Sequence, residues 1–406
     1  MESREQAGGI GVAPPACGVG LSAASDIETA VREAASAATK MLGGDGDVGV
    51  VFLSNIDRRT ARSAMETMRE AVAAPCLVGG TVDGVIACGL EQETGPAVAV
   101  WLGRFPGATL TPFAIEHART PDGGLFSGWP PALGNAWPSG AAVILLADPF
   151  SFPVEPFIER LADDHPGVPV VGGMLSGATS PGGNTLLLGG ATYDSGAVGF
   201  VVSGAVRVRP VVSQGCRPIG RTLLVTKAEE NVIFQLGGRP ALERLQEIYE
   251  GLDADEKNLM RSSLHVGRVA SEYQDSFSHG DFLVRNVVGA DPRSGVIAIG
   301  DHVRVGQTIQ FHVRDAASAD ADLRELLGRA RAASTGTGPA GALVFTCNGR
   351  GSRLFEQPHH DARAIETCYG AIPTAGFFAQ GEVGPIGRRN CLHGFTASIA
   401  VFEPAG

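Results

Sequence analysis

The stretch Leu343-Val-Phe-Thr-Cys-Asn-Gly-Arg-Gly-Ser-Arg-Leu-Phe355 begins as a buried strand and turns abruptly polar. A thiol, an amide, two glycines and two guanidiniums follow the apolar run without transition. The same opening occurs twice more, as Val50-Val-Phe-Leu-Ser-Asn55 and Val143-Ile-Leu-Leu-Ala-Asp148. Short runs of this kind, rich in β-branched and aromatic residues, are strands buried on both faces. Each leads into a helical pattern, over 59–73, 154–163 and 359–368. Each helix is followed by a proline and a short apolar strand ending in glycine: Pro75-Cys-Leu-Val-Gly-Gly80, Pro169-Val-Val-Gly-Gly173 and Pro373-Thr-Ala-Gly376.

Twenty-five residues separate Asn55 from Gly80 and Asp148 from Gly173, and 28 separate Asn348 from Gly376. A second glycine follows each time, at 84, 177 and 381. Three copies with one order of elements point to a duplicated β-α-β unit with parallel strands. Asn55, Asp148 and Asn348 are aligned as equivalent. A fourth copy is expected if each half of the chain holds two units. Residues 281–314 read as a β-meander, with strands over 282–288, 296–299 and 308–313 around the turn Asp291-Pro-Arg-Ser-Gly295. The expected class is α/β (mixed α+β), with two related parts of repeated β-α-β units plus antiparallel strands, the sheets covered by helices. A boundary is expected near 215–220, and a flexible connection over 332–341.

The 406 residues suffice for two or three domains, and 44% hydrophobic with 18% charged residues is a globular composition. A formal net charge of −11 argues against nucleic acid or an anionic membrane as partner. Residues 1–10 hold no apolar core of signal-peptide length, and no run reaches the roughly 18 apolar residues of a membrane span. Seven widely spaced cysteines, an odd number with no C-x-x-C pair, fit a reducing cytoplasm. Gly336-Thr-Gly-Pro-Ala-Gly341 satisfies G-x-G-x-x-G but precedes a strand, so the dinucleotide context is missing.

The 348–353 loop lies where a β-α-β strand ends at its carboxyl edge, the edge at which open α/β sheets bind ligands. Gly349 and Gly351 allow close approach of the backbone, and Arg350 and Arg353 carry planar forks suited to carboxylate or phosphate. The competing reading is a solvated turn whose arginines pair with helix ends.

The C-terminal half resembles the FIST family, the F-box and intracellular signal transduction domains. The residues that carry this are Phe345-Thr-Cys-Asn-Gly-Arg-Gly351, Ile372-Pro-Thr-Ala-Gly-Phe-Phe-Ala-Gln-Gly-Glu-Val-Gly-Pro385 and Asn390-Cys-Leu-His-Gly-Phe-Thr396. Gly79-Gly-Thr-Val-Asp-Gly84, Asp148-Pro-Phe-Ser-Phe-Pro153 and Pro169-Val-Val-Gly-Gly-Met-Leu-Ser-Gly177 extend it toward the N-terminus. The resemblance implies a flexible segment 1–20, a FIST N-like part 21–218 and a FIST C-like part 219–406. It implies an intracellular sensory module that binds a small ligand, an amino acid or another small anionic metabolite. Output would pass through a separate partner, because the fused output domains of other members are absent here.

In that reading Arg350 takes a carboxylate with the N–H groups of Gly349 and Gly351, and Asn348, Asn55 and Asp148 orient loops or polar ligand atoms. Arg353 and Gly376 belong to the same loop ends. Glu382 receives an ammonium group or holds Arg350, and Phe377 with Phe378 forms an apolar wall. No metal or cofactor and no catalytic residue is assigned. Three alternatives remain: an enzyme with Cys347 as nucleophile, a haem-based nitric oxide sensor with His393 as axial ligand, and a protein-binding scaffold.

Overall fold

A computed structural model describes residues 13–405, apart from 122, 135, 275, 335 and 337. Three copies of one unit form three mixed sheets. The first runs through the edge strand Ala16–Ser22, helix Ile27–Leu42, strand Val48–Ser54, helix Arg58–Ala71 and strand Cys76–Val82. A hairpin follows, Val85–Ala87 with Leu90–Gln92, and then the return strand Ala97–Arg104. The second copy holds the outer strand Ala108–Thr120, strand Ala142–Ala147, helix Val154–Asp164 and strand Val170–Met174. Its hairpin is Leu186–Leu188 with Ala191–Tyr193, and its return strand Ala197–Gly204. The third holds edge strand Val206–Gln214, helix Ala316–Ala332, strand Gly341–Cys347, helix His360–Tyr369 and strand Thr374–Ala379. Its hairpin is Glu382–Ile386 with Arg389–His393, and its return strand Thr396–Pro404.

In each copy the two strands of the β-α-β unit pair in parallel, with Val51 opposite Gly79, Leu145 opposite Gly172 and Val344 opposite Gly376. At all three glycines a Cβ would collide with the carbonyl oxygen of that partner, which is why the copies share a glycine there. The helices start and stop as the sequence dictates. Asp26 and Asp57 accept from the N–H groups of Thr29 and Thr60, and Gly43, with φ of 77°, ends the first helix.

The hairpins do not stay with their own sheets. The first copy's hairpin pairs with Thr374–Ala379 of the third, the second copy's with Cys76–Val82 of the first, and the third copy's with Val170–Met174 of the second. The exchange is cyclic, and the second glycines mark the crossings. Phe378 N–H donates to Gly84 O (3.1 Å), Gly177 N–H to Thr81 O (3.3 Å) and Met174 N–H to Gly381 O (2.8 Å).

The inner faces of the three sheets meet in one core that includes Phe52, Trp101, Ile144, Phe200, Phe345, Phe377 and Phe402. Helices cover the outer faces, where Val51 and Leu53, Val143 and Leu145, and Ala342 and Val344 point. Packing on both faces accounts for the unbroken apolar runs.

A fourth sheet, of seven strands, is inserted between Val206–Gln214 and Ala316–Ala332. It begins with Cys216–Glu229, ends with Thr308–Arg314, carries helices Ala241–Gly251 and Ala254–Ser263, and has its own core around Ile233, Ile299, Ile309 and Phe311. The meander appears within it as Phe282–Asp291, Val296–Ile299 and Thr308–Arg314. The mixed α/β class of two related parts with helix-covered sheets is therefore what the chain forms.

Three expectations need correction. Among the described residues there is no fourth β-α-β copy; the insert takes that length of chain. Of the segment expected to be flexible, residues 1–12 lie outside the described residues, and Ala16–Ser22 is a strand paired with Ala97–Arg104. The repeat alignment also slips by one in the second copy. Ile144 and Leu146 face the central core as Val50, Phe52, Leu343 and Phe345 do, so by alternation Asp148 shares the inward phase of Ser54 and Cys347. Asn55 and Asn348 are equivalent to each other and not to Asp148.

Candidate functional site

The carboxyl end of Gly341–Cys347 abuts a cleft of about 370 Å³ between the three-sheet body and the insert. Cys347, Asn348, Gly381, His393 and Phe395 line it from one side, and Arg285 and Asp301 from the insert. Arg285 ties the bodies together, donating to Glu155 Oε1 (2.9 Å) and to the carbonyl of Leu392 (3.2 Å). Gln214 does so again by donating to Phe282 O (2.7 Å).

Arg350 is not on that wall. Its side chain is 0% exposed and lies beneath the loop, with Nε donating to Asp361 Oδ2 (2.8 Å) and Nη2 to Asp361 Oδ1 (2.7 Å). Thr346 Oγ1 also donates to Asp361, and His360 bridges Asp361 (2.9 Å) and Asp320 (2.8 Å) while stacking on Phe355. The exposed carboxylate clamp read from the sequence is therefore a buried brace between the loop and its helix. Against the opposing push of burial, the Arg350 guanidinium holds the Asp361 carboxyl well below the usual range. Glu91, from the first copy's hairpin, accepts the N–H groups of Asp361 and Ala362 (2.8 and 3.0 Å) and caps that helix. Burial, with Asp361 adding to it, raises Glu91 to about 7.

The other expected residues divide. Asn348 and Glu382 flank Cys347, while Gly349 packs against Arg314, where an added Cβ would come 3.2 Å from Nη2. Gly351, with φ of 60°, leaves no room for a side chain because Glu93 and Phe378 are there. Arg353 is 60% exposed and donates to Asn348 O (2.6 Å). Gly376 is the tight strand glycine, and Phe377 lies in the central core against Phe52 and Phe345, so it is no cleft wall. Asn55 donates to Asp83 O (2.6 Å), and Asp148 accepts from Asn184 (2.9 Å) and Ser151 (2.6 Å). Those two serve their own copies' loops and do not join Asn348.

Glu382 is fully buried; its Oε2 accepts from Thr396 N–H (3.1 Å) and Oγ1 (2.8 Å), and Oε1 has no protein partner. Burial pushes its carboxyl up to about 8, so it is largely protonated at neutral pH. Burial and Glu382 push the Cys347 thiol up to about 12. A thiol that stays protonated lacks the activation the nucleophile reading requires. His393 gives its Nε2 to Gly384 O (3.0 Å) and is lowered by burial to about 4. With that nitrogen engaged inside the sheet, the residues here do not fit an axial haem histidine. Among the described residues, no group of three or more His, Cys, Asp or Glu could hold a metal ion.

Sequence reasoning missed Arg314, at the end of the insert's last strand. Its Nε and Nη2 are buried without a protein acceptor, and its guanidinium lies 5.9 Å from the centre of the Phe395 ring. No local signal marks it, since an arginine ending an amphipathic strand reads as a surface residue.

Three repeats exchanging hairpins around one core, with a cleft of metabolite size against an inserted sheet, define a repeat-built α/β protein with a ligand-sized site. The FIST N domain model matches residues 47–239 and the FIST C domain model residues 241–385. The chain belongs to the FIST family, whose domains are sensory domains of signal transduction. The junction of the two matches falls inside the inserted sheet. A Mycobacterium tuberculosis (strain H37Rv) protein described as uncharacterized is 45% identical over 386 residues, 95% of this chain and 99% of its own. One from Mycobacterium bovis, also described as uncharacterized, is 43% identical over 386 residues, 95% of this chain and 98% of its own. No helix among the described residues is long and apolar enough to cross a membrane.

Proposed function

We propose that the protein is a cytoplasmic sensor that binds an amino acid or another small anionic metabolite in the cleft beside Asn348 and signals through a separate partner. The observation that carries this reading is the position of the cleft. Its floor is the loop end of the third copy and its far wall is the insert, so an occupant touches both bodies. A ligand that contacts both sides stabilises one arrangement of them over others, which is what a sensor needs. Its volume of about 370 Å³ lies within the range of small-molecule sites. Seven free cysteines support a reducing compartment.

The test is a thermal-shift titration of the purified protein with amino acids and small carboxylates, repeated on Asn348→Ala. A ligand at 100 times its dissociation constant adds about 2.7 kcal/mol to the native state. The expected result is a shift that Asn348→Ala abolishes. A shift of equal size in the variant would move the site elsewhere, and no shift with any probe would remove the small-carboxylate reading.

A further inference from the structure

The fully buried fork of Arg350 and the half-buried forks of Arg217 and Arg268 are all held by carboxylates. Arg350 is held by Asp361, Arg217 by Asp315 and Glu256, and Arg268 by Asp301. Arg314 is different: Nε and Nη2 are both buried and neither meets a protein acceptor. Those two nitrogens form the planar edge that receives a carboxylate through two parallel hydrogen bonds.

The surroundings are arranged for an anion. Arg314 lies against the backbone of Gly349, where any side chain would crowd its Nη2. Nη1 of Arg350, on a fully buried side chain, also has no protein acceptor and lies close to Gly215. Next to Cys347, Glu382 Oε1 has no protein partner. Protonated at neutral pH, that carboxyl adds no negative charge to repel an anion.

Phe395 touches both the cleft and Arg314: it belongs to the cleft wall, and the Arg314 guanidinium lies over its ring, 5.9 Å from the centre. It packs edge-on to the His265 ring at 4.3 Å and holds a φ of 67°. That conformation costs a non-glycine residue of order 1 kcal/mol and persists where the surroundings impose it, often at ligand sites.

We propose that Arg314 is the specificity-determining residue of the cleft, taking the carboxylate of a small organic acid on its Nε–Nη2 edge beside Phe395. The inference rests on the small-ligand reading of this cleft and names the recognised group. It assigns the clamp to the inserted sheet, so that the ligand joins the insert to the third copy through its charged end.

The test is calorimetric titration of the full chain with L-leucine, L-glutamate and succinate, alongside L-leucinamide and succinamide as neutral counterparts. The expected result is that at least one acid binds and its amide does not, and that Arg314→Gln weakens the acid about tenfold or more. Arg314→Lys, which keeps the charge without the fork, should recover part of that loss. It also serves as the second variant if Arg314→Gln fails to fold. An acid whose affinity falls in Asn348→Ala but stays within about twofold in both Arg314 variants would overturn the clamp and leave the cleft reading intact. Equal affinity for acid and amide would also overturn it, and no binding by any acid would remove both.

Discussion

Arg350 and Asp361 form a two-armed ion pair, 2.8 and 2.7 Å, with relative exposures of 0% and 1%. The pair joins the loop after Gly341–Cys347 to the first turn of the helix that follows. Removing one partner leaves a buried charge uncompensated, which costs about 3–5 kcal/mol. Asp361→Ala should therefore lower the unfolding free energy measured in urea by that amount, and Arg350→Met with Asp361→Leu should lower it much less. A double variant that loses as much as Arg350→Met and Asp361→Leu added together would show that the pair is not coupled.

The strand glycines predict a second outcome. At Gly376 a Cβ would drive into the carbonyl of Val344 across a parallel pair packed on both faces. The backbone has nowhere to shift, so Gly376→Ala should cost about 3 kcal/mol, at the upper end of overpacking. A Gly376→Ala protein as stable as wild type in chemical denaturation would refute the registered contact.

Stability should also respond to pH through Glu382. Its folded pKa, about 8, lies above the ordinary glutamate value of about 4.3. Between those values the folded state binds the extra proton, so its contribution is present at low pH and is lost as pH rises through about 8. Glu91, at about 7, has the same sign and finishes titrating earlier. The groups facing Glu382 are Cys347, Arg350, Thr396 and, across the hairpin, His393. His393, lowered to about 4, is neutral throughout this window. From pH 7 to 9 the wild type should lose unfolding free energy, and Glu382→Gln should flatten that slope. A slope unchanged by the substitution would show that Glu382 titrates normally.

The cyclic hairpin exchange predicts that the two family matches are not independent folding units. A fragment ending at Arg239 lacks Glu382–His393, which completes the second sheet, and lacks the third sheet to which Val85–Gln92 belongs. Fragment 13–239 should show no cooperative unfolding by circular dichroism. A sharp thermal transition in the isolated fragment would contradict the exchange.

What the sequence made legible was the part governed by local pattern. The three apolar runs, their helices and their glycines are where the periodicity puts them, because a strand packed on both faces leaves no other composition. That same uniformity hides the phase of the second copy: Val143-Ile-Leu-Leu-Ala has no polar residue to tell inward from outward, so a gapless alignment sets Asp148 one position off. The hairpin exchange was invisible, since nothing within Val85–Gln92 states which sheet edge will receive it. Arg350 stood out beside glycines but is a brace. Arg314 reaches the same place from 33 residues upstream of Cys347, and only the folded insert brings them together.

The most direct test of the account is amide hydrogen exchange on the full chain, with and without the tightest-binding acid among L-leucine, L-glutamate and succinate. Protection is predicted on both sides of the cleft, in 347–351 and 392–396 of the third copy and in 284–288 and 312–315 of the insert. Protection confined to one body, or falling elsewhere, would contradict a ligand held between the repeats and the inserted sheet.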